Sequence, residues 1–134
     1  MTMNEPTNRV KWFFALGSLL GGIAIAAGAF GGHGLKTSIS AEALAVFETA
    51  VRYQMYHSFG LIATAWAITR WETGKHAGFE TAGWCFLTGI LLFCGSLYTL
   101  SLTGQLWLGA ITPIGGVAFI AGWGMLAWSA LKTT

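Results

Sequence analysis

One stretch gathers most of the polar chemistry in this sequence: Phe47-Glu-Thr-Ala-Val-Arg-Tyr-Gln-Met-Tyr-His57. Glu48 and Arg52 are four residues apart with the acid on the N-terminal side, the favourable order for an ion pair along one helix face. Tyr56 continues that row, and Thr49, Tyr53 and His57 form the row beside it. A second histidine, His33, sits in Gly31-Gly32-His33-Gly34-Leu35, which the expected chain reversal brings to the same end of the molecule. Two histidines with an acid, a base and two phenols have the components of a proton relay, a ligand site or a haem site.

A plainer reading of the same residues competes and is preferred. An unpaired arginine at mid-bilayer costs about 2.5 to 3.5 kcal/mol, so Arg52 is expected paired or at an interface. There the cluster of His33, Glu48, Arg52, Tyr53, Gln54, Tyr56 and His57 bonds to itself and ties the glycine segment to the helix. Neither histidine has a haem-attachment sequence beside it. No phosphate loop, nucleophile elbow, zinc spacing or paired-carboxylate arrangement occurs, so no catalytic residue, metal ligand or cofactor is expected. His76, beside Lys75, is read as a solvated loop residue. Cys85 and Cys94 are nine positions apart, about 13.5 Å along one helix and on opposite faces, and are read as small packing residues.

The elements that must position these groups follow from charge. Only 9% of the 134 residues are Asp, Glu, Lys or Arg and 54% are apolar, whereas soluble domains carry about 25% charged residues. Stretches free of charge run over residues 12–35, 53–69 and 81–131. A crossing needs about 20 mostly apolar residues, so the first two hold one crossing each and the third holds two. The expectation is an all-α integral membrane bundle, residues 1–134 forming a single four-helix transmembrane domain. Its crossings fall at about 12–30, 53–69 with a helical extension from about 41, 81–102 and 109–131. The run from Trp12 to Phe30 exceeds the roughly 7 to 15 residues of a signal-peptide core and is read as a crossing.

Local signals refine these spans. The glycines of 31–34 permit left-handed backbone or the close approach of another segment and are expected to end the first helix, and Ser40 caps the second with Glu42 in its first turn. Gly104-Gln105 supplies a turn, and Pro113 falls in the first turn of the last helix, where a missing N–H costs little. Gly17, Gly21, Gly22 and Gly28 in the first helix and Gly115, Gly116 and Gly122 in the last are expected at close helix contacts, with the first helix central. Gly21-Gly22-Ile23-Ala24 and Gly115-Gly116-Val117-Ala118 match in spacing, which two helices reach independently when both pack through small residues.

Four crossings put Arg9, Lys11, Arg70, Lys75 and Lys132 on one side and Lys36 and Arg52 on the other. Positive residues favour the cytoplasm, so both termini are expected there. Trp12, Trp71, Trp84 and Trp128 then ring the inner interface, with Tyr53, Tyr56 and Trp107 at the outer one. The seven basic residues are too scattered for nucleic-acid binding.

Three segments carry a family resemblance: Gly28-Ala-Phe-Gly-Gly-His-Gly-Leu35, Phe47 to His57, and Ile111-Thr-Pro-Ile-Gly-Gly116 with Gly122-Trp123. In this order they resemble the bacterial domain of unknown function 423 family, related to the eukaryotic transmembrane protein 256, over nearly the whole chain. The resemblance implies a small multi-pass protein of the bacterial cytoplasmic membrane and assigns no chemistry to any residue. The expected function is that of a non-enzymatic accessory or structural membrane component, in company with the lipid bilayer and either a membrane-protein partner or further copies of itself. The alternative is a small transporter or channel subunit using the polar cluster at the outer end of the second helix. A haem- or ligand-binding membrane protein ranks third.

Overall fold

The structure is a computed structural model that describes residues 6–71 and 77–133. Helix α1 spans Pro6–Phe30 and runs on into a π turn, Gly31–Leu35. Helix α2 spans Ala41–Arg70. Helix α3 covers 77–103, with a π turn at Ile90–Cys94 between two α-helical parts. A short 3-10 segment, Leu106–Ala110, leads to α4 at Thr112–Lys132. The described residues contain no strand.

Three stretches, Asn8–Leu35, Gly78–Thr103 and Leu106–Lys132, are long and apolar enough to cross a membrane. Helix α2 has the length, 30 residues or about 45 Å, but Glu42, Glu48, Arg52, Gln54 and His57 dilute its apolar character. Its start is set as the sequence indicates: the Ser40 hydroxyl accepts from the Ala43 N–H at 3.1 Å, and Glu42 lies in the first turn. Gly104, at φ 72°, ends α3 in the left-handed conformation that only glycine adopts without strain. Pro113 occupies the first turn of α4.

Helices α1 and α2 form one antiparallel hairpin and α3 and α4 another, and α2 joins the two through its contacts with α3. The start of α1 and the end of α4 both lie beside the start of α3: Arg9 of α1 is ion-paired with Glu80 of α3, and Gly78 of α3 lies against Ser129 of α4.

Two expectations are corrected here. The Gly31–Leu35 segment does not end the first helix as a left-handed loop; it widens into a π turn with no positive φ. A side chain at Gly31 would come 3.0 Å from the Phe47 ring, so glycine serves the other use open to it in the sequence, the close approach of another segment, here α2. Nor is α1 central. That place belongs to α2, which buries Gln54, His57, Ser58 and Thr64, whereas Leu19, Ile23 and Ile25 of α1 are exposed. Polar side chains need partners that lipid tails cannot offer, while apolar side chains face lipid at no cost, so the polar helix is the one surrounded by protein.

Phenylalanine rings seated on glycines do much of the packing. Phe13 lies where a side chain at Gly83 would be, Phe119 over Gly89, and Phe86 between Gly122 and Gly60, with hypothetical Cβ contacts of 2.6, 2.3, 2.6 and 3.1 Å. Between apolar helices in lipid, such van der Waals fit replaces the hydrophobic drive that packs soluble cores.

Candidate functional site

The polar residues of α2 separate by face. Glu48, Arg52, Tyr53 and Tyr56 are exposed, whereas Gln54 and His57 are only 3% and 4% exposed. Glu48 and Arg52 form no ion pair, and Arg52 instead donates to the Thr49 hydroxyl at 3.1 Å. On a fully exposed helix face water competes for both charges, which leaves such a pair worth roughly 0 to 1 kcal/mol and easily replaced. His33 is exposed on the π turn and makes no hydrogen bond. Gly31 packs at the level of Phe47, ten residues or about 15 Å along α2 from His57, so the two histidines share no site. His76 lies outside the described residues.

Gln54 is the node of the bundle. Its amide Nε2 donates to the Leu20 carbonyl of α1 at 2.8 Å, and its Oε1 accepts from the Tyr98 hydroxyl of α3 at 2.8 Å. One side chain therefore fastens three helices. Its own carbonyl also accepts from the Ser58 hydroxyl at 2.7 Å.

His57 faces the other way, toward α4. The Trp123 indole N–H lies 3.1 Å from Nε2, and Nδ1 lies 2.6 Å from the Tyr53 carbonyl. An indole can only donate, so Nε2 accepts and Nδ1 carries the proton, which fixes a neutral imidazole in one tautomer. The ring is stacked on Phe119 with centroids 3.4 Å apart and planes 6° apart, and Tyr53 lies 23° from the His57 plane. The π turn of α3 sets Phe93 against the Tyr53 ring at 4.6 Å. Between α2 and α4 these rings front a cavity of about 570 Å³.

The glycines predicted at helix contacts do not behave alike. An added Cβ would meet the Ser58 carbonyl at 2.7 Å from Gly17, the Phe93 backbone at 2.3 Å from Gly115, and the Phe86 ring at 2.6 Å from Gly122. At Gly28 it would meet Val51 at 3.3 Å, and at Gly21 and Gly116 it would find ordinary contacts of 3.7 and 3.8 Å. Gly22 is exposed, and a Cβ added there would have nothing within 4 Å, so it is no close contact.

Tyr98 and Phe119 were missed by sequence reasoning, as was the Arg9–Glu80 pair, and Trp123 figured there only in the family resemblance. A signal existed for the first: a glutamine buried between helices needs both a donor and an acceptor, and Tyr98 is the one phenol in the charge-free stretch 81–131. Among the described residues no group of three His, Cys, Asp or Glu side chains comes together as a metal site.

An all-helical protein with three stretches built for a bilayer, locked by buried amide, phenol and imidazole hydrogen bonds, is the class that these features define. The family model described as "Protein of unknown function (DUF423)" matches residues 27–116. The chain is 45% identical to the UPF0382 membrane protein YwdK of Bacillus subtilis (strain 168) over 123 residues, 92% of this chain and 98% of that one. It is 44% identical to a UPF0382 membrane protein of Staphylococcus epidermidis over 92% of this chain and 98% of that one. With a UPF0382 membrane protein of Haemophilus influenzae the identity is 39%, over 90% and 94% of the two chains. The chain belongs to this family of bacterial membrane proteins. No solved structure matches it significantly.

Proposed function

We propose that the protein is a four-crossing component of the bacterial cytoplasmic membrane, with both termini in the cytoplasm, and that it acts without catalysis as an accessory or structural partner of other membrane proteins or of further copies of itself. The observation that carries this reading is that the buried polar side chains of α2 are already committed within the bundle. Gln54 fastens α1 and α3, and His57 is held at both ring nitrogens, which supports a structural use of groups that a transporter or haem carrier would keep open. The antiparallel order of the helices supports α2 as the fourth crossing, since α1 and α3 otherwise need a connection across the bilayer. The five-to-two imbalance of Lys and Arg supports the orientation.

The test is cross-linking in native membranes, followed by purification of the intact chain and reconstitution into liposomes. A partner or second copy recovered at fixed stoichiometry, together with liposomes as tight as protein-free ones, is the expected result. Selective ion or solute flux lost in His57→Phe, or a haem spectrum in the purified protein, would overturn it.

A further inference from the structure

A groove of about 880 Å³ runs between α1 and α2, beside the start of the one and the end of the other. Small residues, Ala63 and Ala65, line it between the larger Phe14, Phe59 and Trp66, which remain 54%, 64% and 58% exposed. Along α2 it reaches from Phe59 to Thr69, ten residues or about 15 Å. That is the depth of one leaflet in a hydrocarbon core about 30 Å thick. A smaller hollow of about 430 Å³ beside Gly21 and Gly22 shares Phe59 and Ile62 with the groove and continues it along α1.

Charge distinguishes one end of this groove from the other. Lys11 and Thr69 line the end nearest the start of α1, and Arg70 follows Thr69 in α2. Among the described residues neither Lys11 nor Arg70 has an acidic partner, whereas Arg9 is taken by Glu80. No other lining residue of the groove or the hollow is charged. A lysine stem lies along apolar surface while its ammonium keeps to the polar boundary, so an apolar furrow one leaflet long carries unbalanced positive charge at its head-group end. Its complement is an anionic head on a hydrocarbon tail. A second copy of the chain fits less well, because two-fold pairing about the membrane normal sets groove against groove, leaves a void, and brings two Lys11 charges to the same level.

We propose that this groove binds an anionic phospholipid, one acyl chain lying along Ala63 and Ala65 between Phe14, Phe59 and Trp66, and the phosphate held by Lys11. The membrane placement proposed above bears only on which leaflet supplies the lipid; binding in detergent depends neither on orientation nor on a partner protein.

The test mixes the full chain in detergent with equal amounts of dioleoyl phosphatidylglycerol and dioleoyl phosphatidylcholine and counts the retained lipid by native mass spectrometry. One phosphatidylglycerol held in preference to phosphatidylcholine is expected. A lysine near anionic lipid strengthens the attraction about five-fold, so Lys11→Gln should cut the preference by about that factor. Lys132→Gln, at the end of α4 and set over the Trp128 ring, should leave it unchanged. Ala63→Trp, at an exposed position in the groove, should remove the retained lipid while the melting temperature holds. If Ala63→Trp fails to fold, the two lysine variants decide the matter. Equal retention of the two lipids, a preference untouched by Lys11→Gln or lost equally in Lys132→Gln, or lipid kept by folded Ala63→Trp would overturn the proposal. So would a dimer that retains no lipid and is broken by Ala63→Trp, which would give the groove to a second copy.

Discussion

Replacing Gln54 by leucine keeps the side chain's bulk at the centre of the bundle and removes both amide contacts. The Nε2 bond to the Leu20 carbonyl contributes about 0.5 to 1.5 kcal/mol. Leu20 lies within α1 and keeps its helical hydrogen bond, so that carbonyl is not orphaned. Tyr98 fares worse, because its hydroxyl loses Oε1 at 2.8 Å and is left half-buried, which costs about 1 to 3 kcal/mol. The expected loss for Gln54→Leu is therefore about 1.5 to 4.5 kcal/mol. Tyr98→Phe strands Oε1 in the same way. The double variant strands nothing, so its loss should be smaller than the sum of the two by about 0.6 kcal/mol and up to about 1.7, the average and the maximum of hydrogen-bond couplings between membrane helices. Reversible unfolding of the parent, the two single variants and the double variant in the same detergent reads this directly. Strictly additive losses would refute the bridge, and losses under about 0.5 kcal/mol in both single variants would place water at Gln54.

Gly17→Ala should cost about 1 to 3 kcal/mol, because its Cβ meets the Ser58 carbonyl at 2.7 Å. Gly22→Ala, with open space around it, should be neutral or stabilise α1 by up to about 1 kcal/mol through helix propensity; equal losses in thermal unfolding would contradict the placement of α1. Nitrogen-15 NMR of His57 should find the proton on Nδ1 and a bare Nε2 at neutral pH, and Trp123→Phe should shift the Nε2 signal; a proton on Nε2 would break the proposed pairing with Trp123. Glu80→Gln should lower stability by more than about 1 kcal/mol through the part-buried pair with Arg9, whereas Glu48→Gln, on an exposed face, should stay within about 0.5 kcal/mol. A cysteine placed at position 133, in a chain lacking Cys85 and Cys94, should resist an impermeant thiol reagent outside intact cells; efficient labelling there would reverse the proposed orientation.

The helices themselves were legible in the sequence. Charge-free stretches located them, Ser40 and Glu42 marked the start of α2, and Gly104 marked the end of α3. Their arrangement was less so, because lipid-facing and protein-facing positions are both apolar and the usual amphipathic stripe disappears. The informative residues are polar: Gln54, His57, Ser58 and Thr64 recur with Leu61, Ala65 and Ile68 at helical spacing and are buried together, which makes this the inward face of α2. Glycine was misleading in a different way. Its expected use was backbone against backbone, as happens at Gly17, but Gly83, Gly89 and Gly122 serve as seats for phenylalanine rings from other helices. A ring and the notch that receives it lie far apart in sequence, and nothing in the local pattern links them. The Glu48–Arg52 spacing was correct for a pair, yet spacing says nothing of the solvent that dissolves it.

The division of Gln54 between two hairpins bears on the order in which the chain is assembled. Synthesis proceeds from the N-terminus, so α1 and α2 meet first, and the amide nitrogen finds the Leu20 carbonyl within that first hairpin. The amide oxygen has no such early partner, since Tyr98 lies 44 residues further on. Until α3 docks, that acceptor lacks the partner the finished bundle gives it, and an acceptor shielded from water without a partner costs about 1 to 3 kcal/mol. A half-built chain thus differs chemically from a finished one, by a single polar oxygen that the second hairpin silences on arrival.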